Sequence, residues 1–130
     1  MKINKFEELD IWKRSIEITK NIYELTSENK FIKDYGLQNQ IRRAIVSISS
    51  NIVEGFERNN NNEFIRFLKI AKGSCGETRN QLYIALKIDY IKQNIFNEMN
   101  DKLISLSNQM GCFIKYLENC RIKNNFKQTR

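Results

Sequence analysis

Residues 49–64 read SSNIVEGFERNNNNEF. Up to Arg58 this run keeps a helical spacing, and then Asn59 to Asn62 interrupt it. Asparagine side chains compete for backbone hydrogen bonds, so they favour caps and turns over helix interiors. Asn60 followed three residues later by Glu63 has the form of a capping box that opens a new helix. The stretch therefore predicts the corner of a helical hairpin.

Both arms of that hairpin show the three- and four-residue apolar steps of amphipathic helices. N-terminal to the corner, Ile41, Ile45, Ile48 and Ile52 form one stripe of a helix over residues 35–57, with Asp34 placed to cap it. C-terminal to it, Phe64, Leu68, Ala71, Cys75, Thr78, Leu82 and Ala85 share one face of a helix over residues 61–89. A flanking helix over residues 8–27 carries Ile11, Ile18, Ile22 and Leu25 beside a second stripe of Leu9, Trp12, Ile16 and Tyr23. So wide an apolar face can touch more than one neighbour, and the sequence leaves open whether Trp12 and Tyr23 lie inside one bundle or between subunits. The fourth helix, residues 94–122, has a heptad-like stripe of Ile95, Met99, Leu103, Leu106, Met110, Phe113, Leu117 and Cys120. Short connections between helices favour antiparallel neighbours, so the expected fold is all-α, an up-down-up-down four-helix bundle.

The chain has 130 residues, no proline, five glycines and 41% apolar residues, which suits a single domain of long helices. That domain is expected over residues 1–122, followed by a basic tail, frayed, over residues 123–130. The start, MKINKFEELD, lacks the apolar stretch of a signal peptide, and no apolar run approaches the roughly 20 residues that span a bilayer. A cytoplasmic protein without a membrane partner is expected. Cys75, Cys112 and Cys120 are odd in number and lack a CxxC spacing, so they read as buried free thiols and not as a disulfide framework or zinc site.

Chemistry is poorly represented. There is no histidine, which removes the commonest general base and the Glu-x-x-His pattern of di-iron bundles. GSCG at residues 73–76 lacks the lysine and preceding strand of a phosphate loop, and no base is evident for a nucleophile at Ser74 or Cys75. Glu54 and Glu77 are the carboxylates an unrecognised enzyme would use. Each has an arginine within reach, which favours a structural role, so no catalysis, cofactor or metal is expected.

Ser47, Asn51, Glu54 and Arg58 make a polar stripe beside the isoleucines, as do Ile70, Ser74, Glu77 and Gln81 on the next helix. Equal steps outward from a turn centred on Asn60 and Asn61 set Ser47 against Ser74, and Arg43 or Ala44 against Glu77. Glu77 is expected to meet Arg43, and Glu54 precedes Arg58 by the four residues of a favourable helical ion pair. Gly55, Gly73 and Gly76 each cost roughly 1 kcal/mol against alanine in a helix, which close approach within the hairpin or between subunits would explain.

Lysine and arginine outnumber aspartate and glutamate by 22 to 15, a formal charge of +7 that favours acidic partners. Candidates for phosphate contact are Arg42, Arg43, Arg66, Lys69, Lys72 and Arg79, with Arg121, Lys123 and Lys127 towards the C-terminus. A merely solvated face is the competing reading. No RRM or helix-turn-helix pattern argues for base-specific recognition.

FEELDIWKRSIEITKNIY at 6–23, YGLQNQIRRAIVSISSNIVEGFER at 35–58 and FLKIAKGSCGETRNQLYIAL at 67–86 resemble the four-helix bundle proteins associated with 23S rRNA intervening sequences. The accessory variability proteins of diversity-generating retroelements are similar. The matching positions are Ser47, Ile48, Asn51, Ile52, Glu54, Gly55, Arg58, Gly73, Ser74 and Glu77, all of residue types that serve packing and assembly. The resemblance implies a homopentameric barrel whose basic surface binds RNA or DNA. It also implies an alternative, a protein adaptor that docks a reverse transcriptase or another nucleic-acid enzyme.

Overall fold

The computed structural model describes residues 3–123. The described residues form four α-helices: α1 (Asp10–Leu25), α2 (Tyr35–Glu57), α3 (Asn61–Lys87) and α4 (Gln93–Lys123). Single 3₁₀ turns at Phe6–Glu8 and Asn29–Lys33 precede α1 and α2, and no strand occurs among the described residues. Each helix packs on the next and α1 closes the ring against α4, the arrangement of an up-down-up-down antiparallel bundle. Contact is most extensive between α2 and α3 and slightest between α1 and α4.

The helix ends have local causes. Asp34 caps α2 as expected, its Oδ1 accepting the Leu37 N–H at 3.1 Å. Asn60 caps α3, its Oδ1 accepting the Glu63 N–H at 3.0 Å. The return half of the expected capping box does not form, because the Glu63 carboxylate turns to Arg58 and Arg66 instead. α1 is shorter than expected: it stops where the buried Thr26 bonds its hydroxyl back to the Ile22 carbonyl at 2.8 Å. α3 ends before Asp89, which takes a left-handed conformation (φ 63°) while the Tyr90 N–H reaches back to the Ala85 carbonyl at 2.8 Å.

The isoleucine stripe of α2 is entirely inaccessible to solvent, as are Phe64, Leu68, Ala71, Leu82 and Ala85 of α3 and Leu103, Leu106, Met110 and Leu117 of α4. At the first turn of α4, Phe96 is the buried residue and Ile95 only half so. Ile16 and Tyr23 are each 39% exposed, so the second stripe of α1 is only partly covered within the chain. Two expectations are corrected. Cys112 is exposed, since it lies two residues from each of the buried Met110 and Ile114 and so on the opposite side of α4, whereas Cys75 and Cys120 are buried. The ion pair between Arg43 and Glu77 does not form, and both side chains are exposed.

One end of the bundle is tied by a polar clasp. Tyr90, between α3 and α4, donates its hydroxyl to Asp34 Oδ2 at 2.8 Å, and its ring meets buried Phe31 edge-on with centroids 5.3 Å apart. The Leu37 N–H first, and the Tyr90 hydroxyl second, hold the Asp34 carboxyl below its usual range. A lowered native pKa adds stability above the unfolded value of about 4, and that stability is lost as pH falls through the folded value. Asp34→Ala is therefore less stable than the parent at neutral pH, and the gap narrows on acidification below about pH 4. Chemical denaturation monitored by circular dichroism across pH checks this; a gap independent of pH removes the charged cap from the explanation.

Candidate nucleic-acid interface and the α2–α3 seam

The seam between α2 and α3 is polar at its margin. Ser74 Oγ donates to Ser47 Oγ at 2.9 Å, the pairing expected from the turn. Asn51 Nδ2 donates to the Ser47 carbonyl at 2.7 Å and to its Oγ at 2.9 Å. Further along, Gln81 Nε2 reaches Gln40 Oε1 at 3.3 Å, but Gln81 Oε1 is buried without a partner. Arg58 pairs with Glu54 at 3.2 Å and with Glu63 at 3.5 Å, pinning the corner. These pairs are half-exposed, so each contributes a few tenths of a kcal/mol. The Arg66 hydrogen bond is the main reason that the Glu63 carboxyl lies below its ordinary range.

Gly55 lies directly against α3. A Cβ there would stand 2.7 Å from Phe67 Cβ and 3.0 Å from Phe64 Cδ1, so this glycine serves close approach within the hairpin. Gly73 and Gly76 do not, since a Cβ at either meets nothing within 4 Å. Cys75, one residue before Gly76, is buried, and desolvation pushes its thiol up to about 12. It carries no thiolate at neutral pH.

The basic candidates do not share a face. Arg42 turns to the end of α1, where Nε donates to Thr26 Oγ1 and Nη2 to Ser27 Oγ, both at 2.9 Å, and the guanidinium lies 4.4 Å from the Tyr23 ring centroid. Lys72 and Arg79 turn the other way, to α4. Lys72 Nζ donates to the carbonyl and hydroxyl of Ser107, both at 2.9 Å, and Arg79 Nε to Asn100 Oδ1 at 2.7 Å. Arg66 is exposed but pairs with Glu63 and covers the Phe67 ring. Arg43 and Lys69 are exposed and outside every ion pair of the described residues. The side chains of Arg121 and Lys123, and Lys127 with the rest of the tail, lie outside the described residues. Thr26, Ser27, Asn100 and Ser107 were not singled out from the sequence, because nothing local marks a hydroxyl or amide as the anchor of a distant cation.

The model of the family described as 23S rRNA-intervening sequence protein matches residues 7–111. The chain belongs to this family. Like this intervening-sequence protein, a crystal structure from Bacteroides thetaiotaomicron has the same fold; it is of a protein with unknown function from the S23 ribosomal protein family. The two agree with a TM-score of 0.74 and 25% sequence identity, covering 81% of this chain and 98% of that one. Among curated proteins nothing matches.

In this intervening-sequence protein the family-like positions divide by what they touch. Ile48 and Ile52 are core, Gly55 admits the neighbouring helix, Ser74 bonds across the seam to Ser47, and Asn51 holds Ser47 from within α2. Glu54 and Arg58 hold the corner. Gly73 and Glu77 have no such use among the described residues. They share the outer face of α3 with Ile70 and Ile84, exposed by 43% and 42%, and with Ile88 just past its last turn, exposed by 44%.

Proposed function

We propose that this intervening-sequence protein forms a homopentamer through the outer face of α3 and that the assembly binds RNA or DNA by phosphate charge, without chemistry of its own. The observation that carries the reading is that face. Three isoleucines at helical spacing are left in solvent beside a glycine with open space over it, and the nearby Gln81 Oε1 is buried with no donor. A second chain would cover the isoleucines and bring the missing donor. Subunit number follows the resemblance, and the +7 charge supports an anionic partner. No helix of the described residues is long and apolar enough to cross a membrane.

Light scattering on the 15.5 kDa chain is expected to give the mass of a pentamer, and Ile84→Asp a folded monomer. Binding of a labelled RNA or DNA strand should weaken steeply between roughly 50 and 200 mM salt. A monomeric parent chain refutes the assembly, and salt-independent binding refutes the phosphate reading. Absence of binding with co-purification of a polymerase transfers the basic surface to the adaptor role.

A further inference from the structure

A basic concavity lies at the end of the bundle that carries the Asp34–Tyr90 clasp. A cleft of about 1410 Å³ opens there between the connection from α1 to α2 and the connection from α3 to α4. Lys30 and Lys33 line it from the first connection, Lys87 from the last turn of α3, and Lys92 from the residue before α4. All four are exposed, and none joins an ion pair of the described residues. The acids facing the same space are Glu28 and Asp89, so four cations meet two anions across it. Two segments distant in sequence thus place unneutralised charge around one opening.

We propose that this cleft holds consecutive phosphates of a single nucleic-acid strand, and that it is the principal anion-binding site of the chain. The proposal rests on the nucleic-acid reading above and locates it away from the α2–α3 hairpin. Size and chemistry favour a polymer over a small phosphorylated ligand. Small-molecule sites typically enclose about 300–1,000 Å³ and fix their ligand with a few buried polar groups. This cleft is larger, and its charged walls are flexible, solvated ammonium groups, which follow a chain of phosphates without demanding one geometry. The first turn of α4 forms part of the wall and contains no acid, so its partial positive charge has the same sign as the lysines. Tyr90 also lines the cleft, but its hydroxyl is committed to Asp34, so it offers ring surface and not a phosphate contact.

The test uses the full chain and a fluorescent mixed-sequence single strand, as RNA and as DNA, titrated from low to high salt. The parent is compared with a variant carrying Lys30→Gln, Lys33→Gln, Lys87→Gln and Lys92→Gln, and with a control carrying Arg43→Gln and Lys69→Gln. All six side chains are exposed, so thermal melts should coincide. Four lost phosphate contacts should flatten the dependence of log K on log salt by roughly 3 and weaken binding on the order of a hundredfold near 0.1 M salt. The control should change the slope far less. A parent that binds and a four-lysine variant with the parent's slope overturn the cleft while leaving nucleic-acid binding intact; a parent that does not bind overturns both. Inorganic phosphate and a mononucleotide are run as competitors. Displacement of the strand by either at micromolar concentration assigns the cleft to a small phosphate ligand and overturns the proposal.

Discussion

Replacing Phe64 by alanine lowers the unfolding free energy by about 3–5 kcal/mol. Phe64 is fully buried at the corner of the hairpin, edge-on to Phe56 with ring centroids 5.9 Å apart and to Phe113 of α4 at 5.4 Å. One ring therefore joins three helices. Truncation removes its transfer free energy and leaves a cavity whose walls cannot all collapse, because α2 and α3 are already in contact at Gly55. Denaturant titration at fixed protein concentration measures the loss, since any assembly makes apparent stability depend on concentration. A loss under about 1 kcal/mol would show that the corner repacks freely.

Gly55→Ala destabilises the protein by about 1–3 kcal/mol, although alanine is the better helix former by about 1 kcal/mol. The new methyl would stand 2.7 Å from Phe67 Cβ, an atom fixed to the α3 backbone, and 3.0 Å from Phe64 Cδ1. Neither can swing away, so the helices must separate. Gly73→Ala and Gly76→Ala meet nothing within 4 Å and should each stabilise the single chain by up to about 1 kcal/mol. The three alanine variants thus divide by sign. If Gly73→Ala stabilises the chain yet weakens association, that glycine serves the face between subunits. Equal loss at all three positions would contradict the geometry.

Much of the fold was legible because burial imposes a period. The isoleucines of α2 and the Phe64-to-Ala85 face of α3 showed the helical spacing, and the asparagine run located the turn. With the turn located, counting outward gave Ser47 opposite Ser74. The same count failed for Arg43 and Glu77. Ala44 takes the facing position on α2 and is buried, which leaves Arg43 one residue further round, in solvent. Periodicity fixes which side of a helix is buried, but it does not fix where a long cation bends. Arg42, Lys72 and Arg79 looked like one basic stripe along the hairpin, yet they turn to opposite neighbours because Thr26, Ser107 and Asn100 offer oxygens there. Lys30, Lys33, Lys87 and Lys92 escaped notice because no local window contains them together. The topology contains the signal, since in an up-down bundle the first and third connections meet at one end.

The unequal seams also bear on how the chain folds. α2 and α3, adjacent in sequence and joined through a short turn, form the largest contact at the smallest loop-closure entropy. The α1–α4 seam is the reverse: it joins the two ends of the domain, the longest loop to close, for the least packing in return. The ring of helices should thus zip outward from the asparagine corner and seal at α1 last. The same helix is then the first to lift when the native state breathes, exposing the inner faces of α2 and α4 while the central hairpin stays shut.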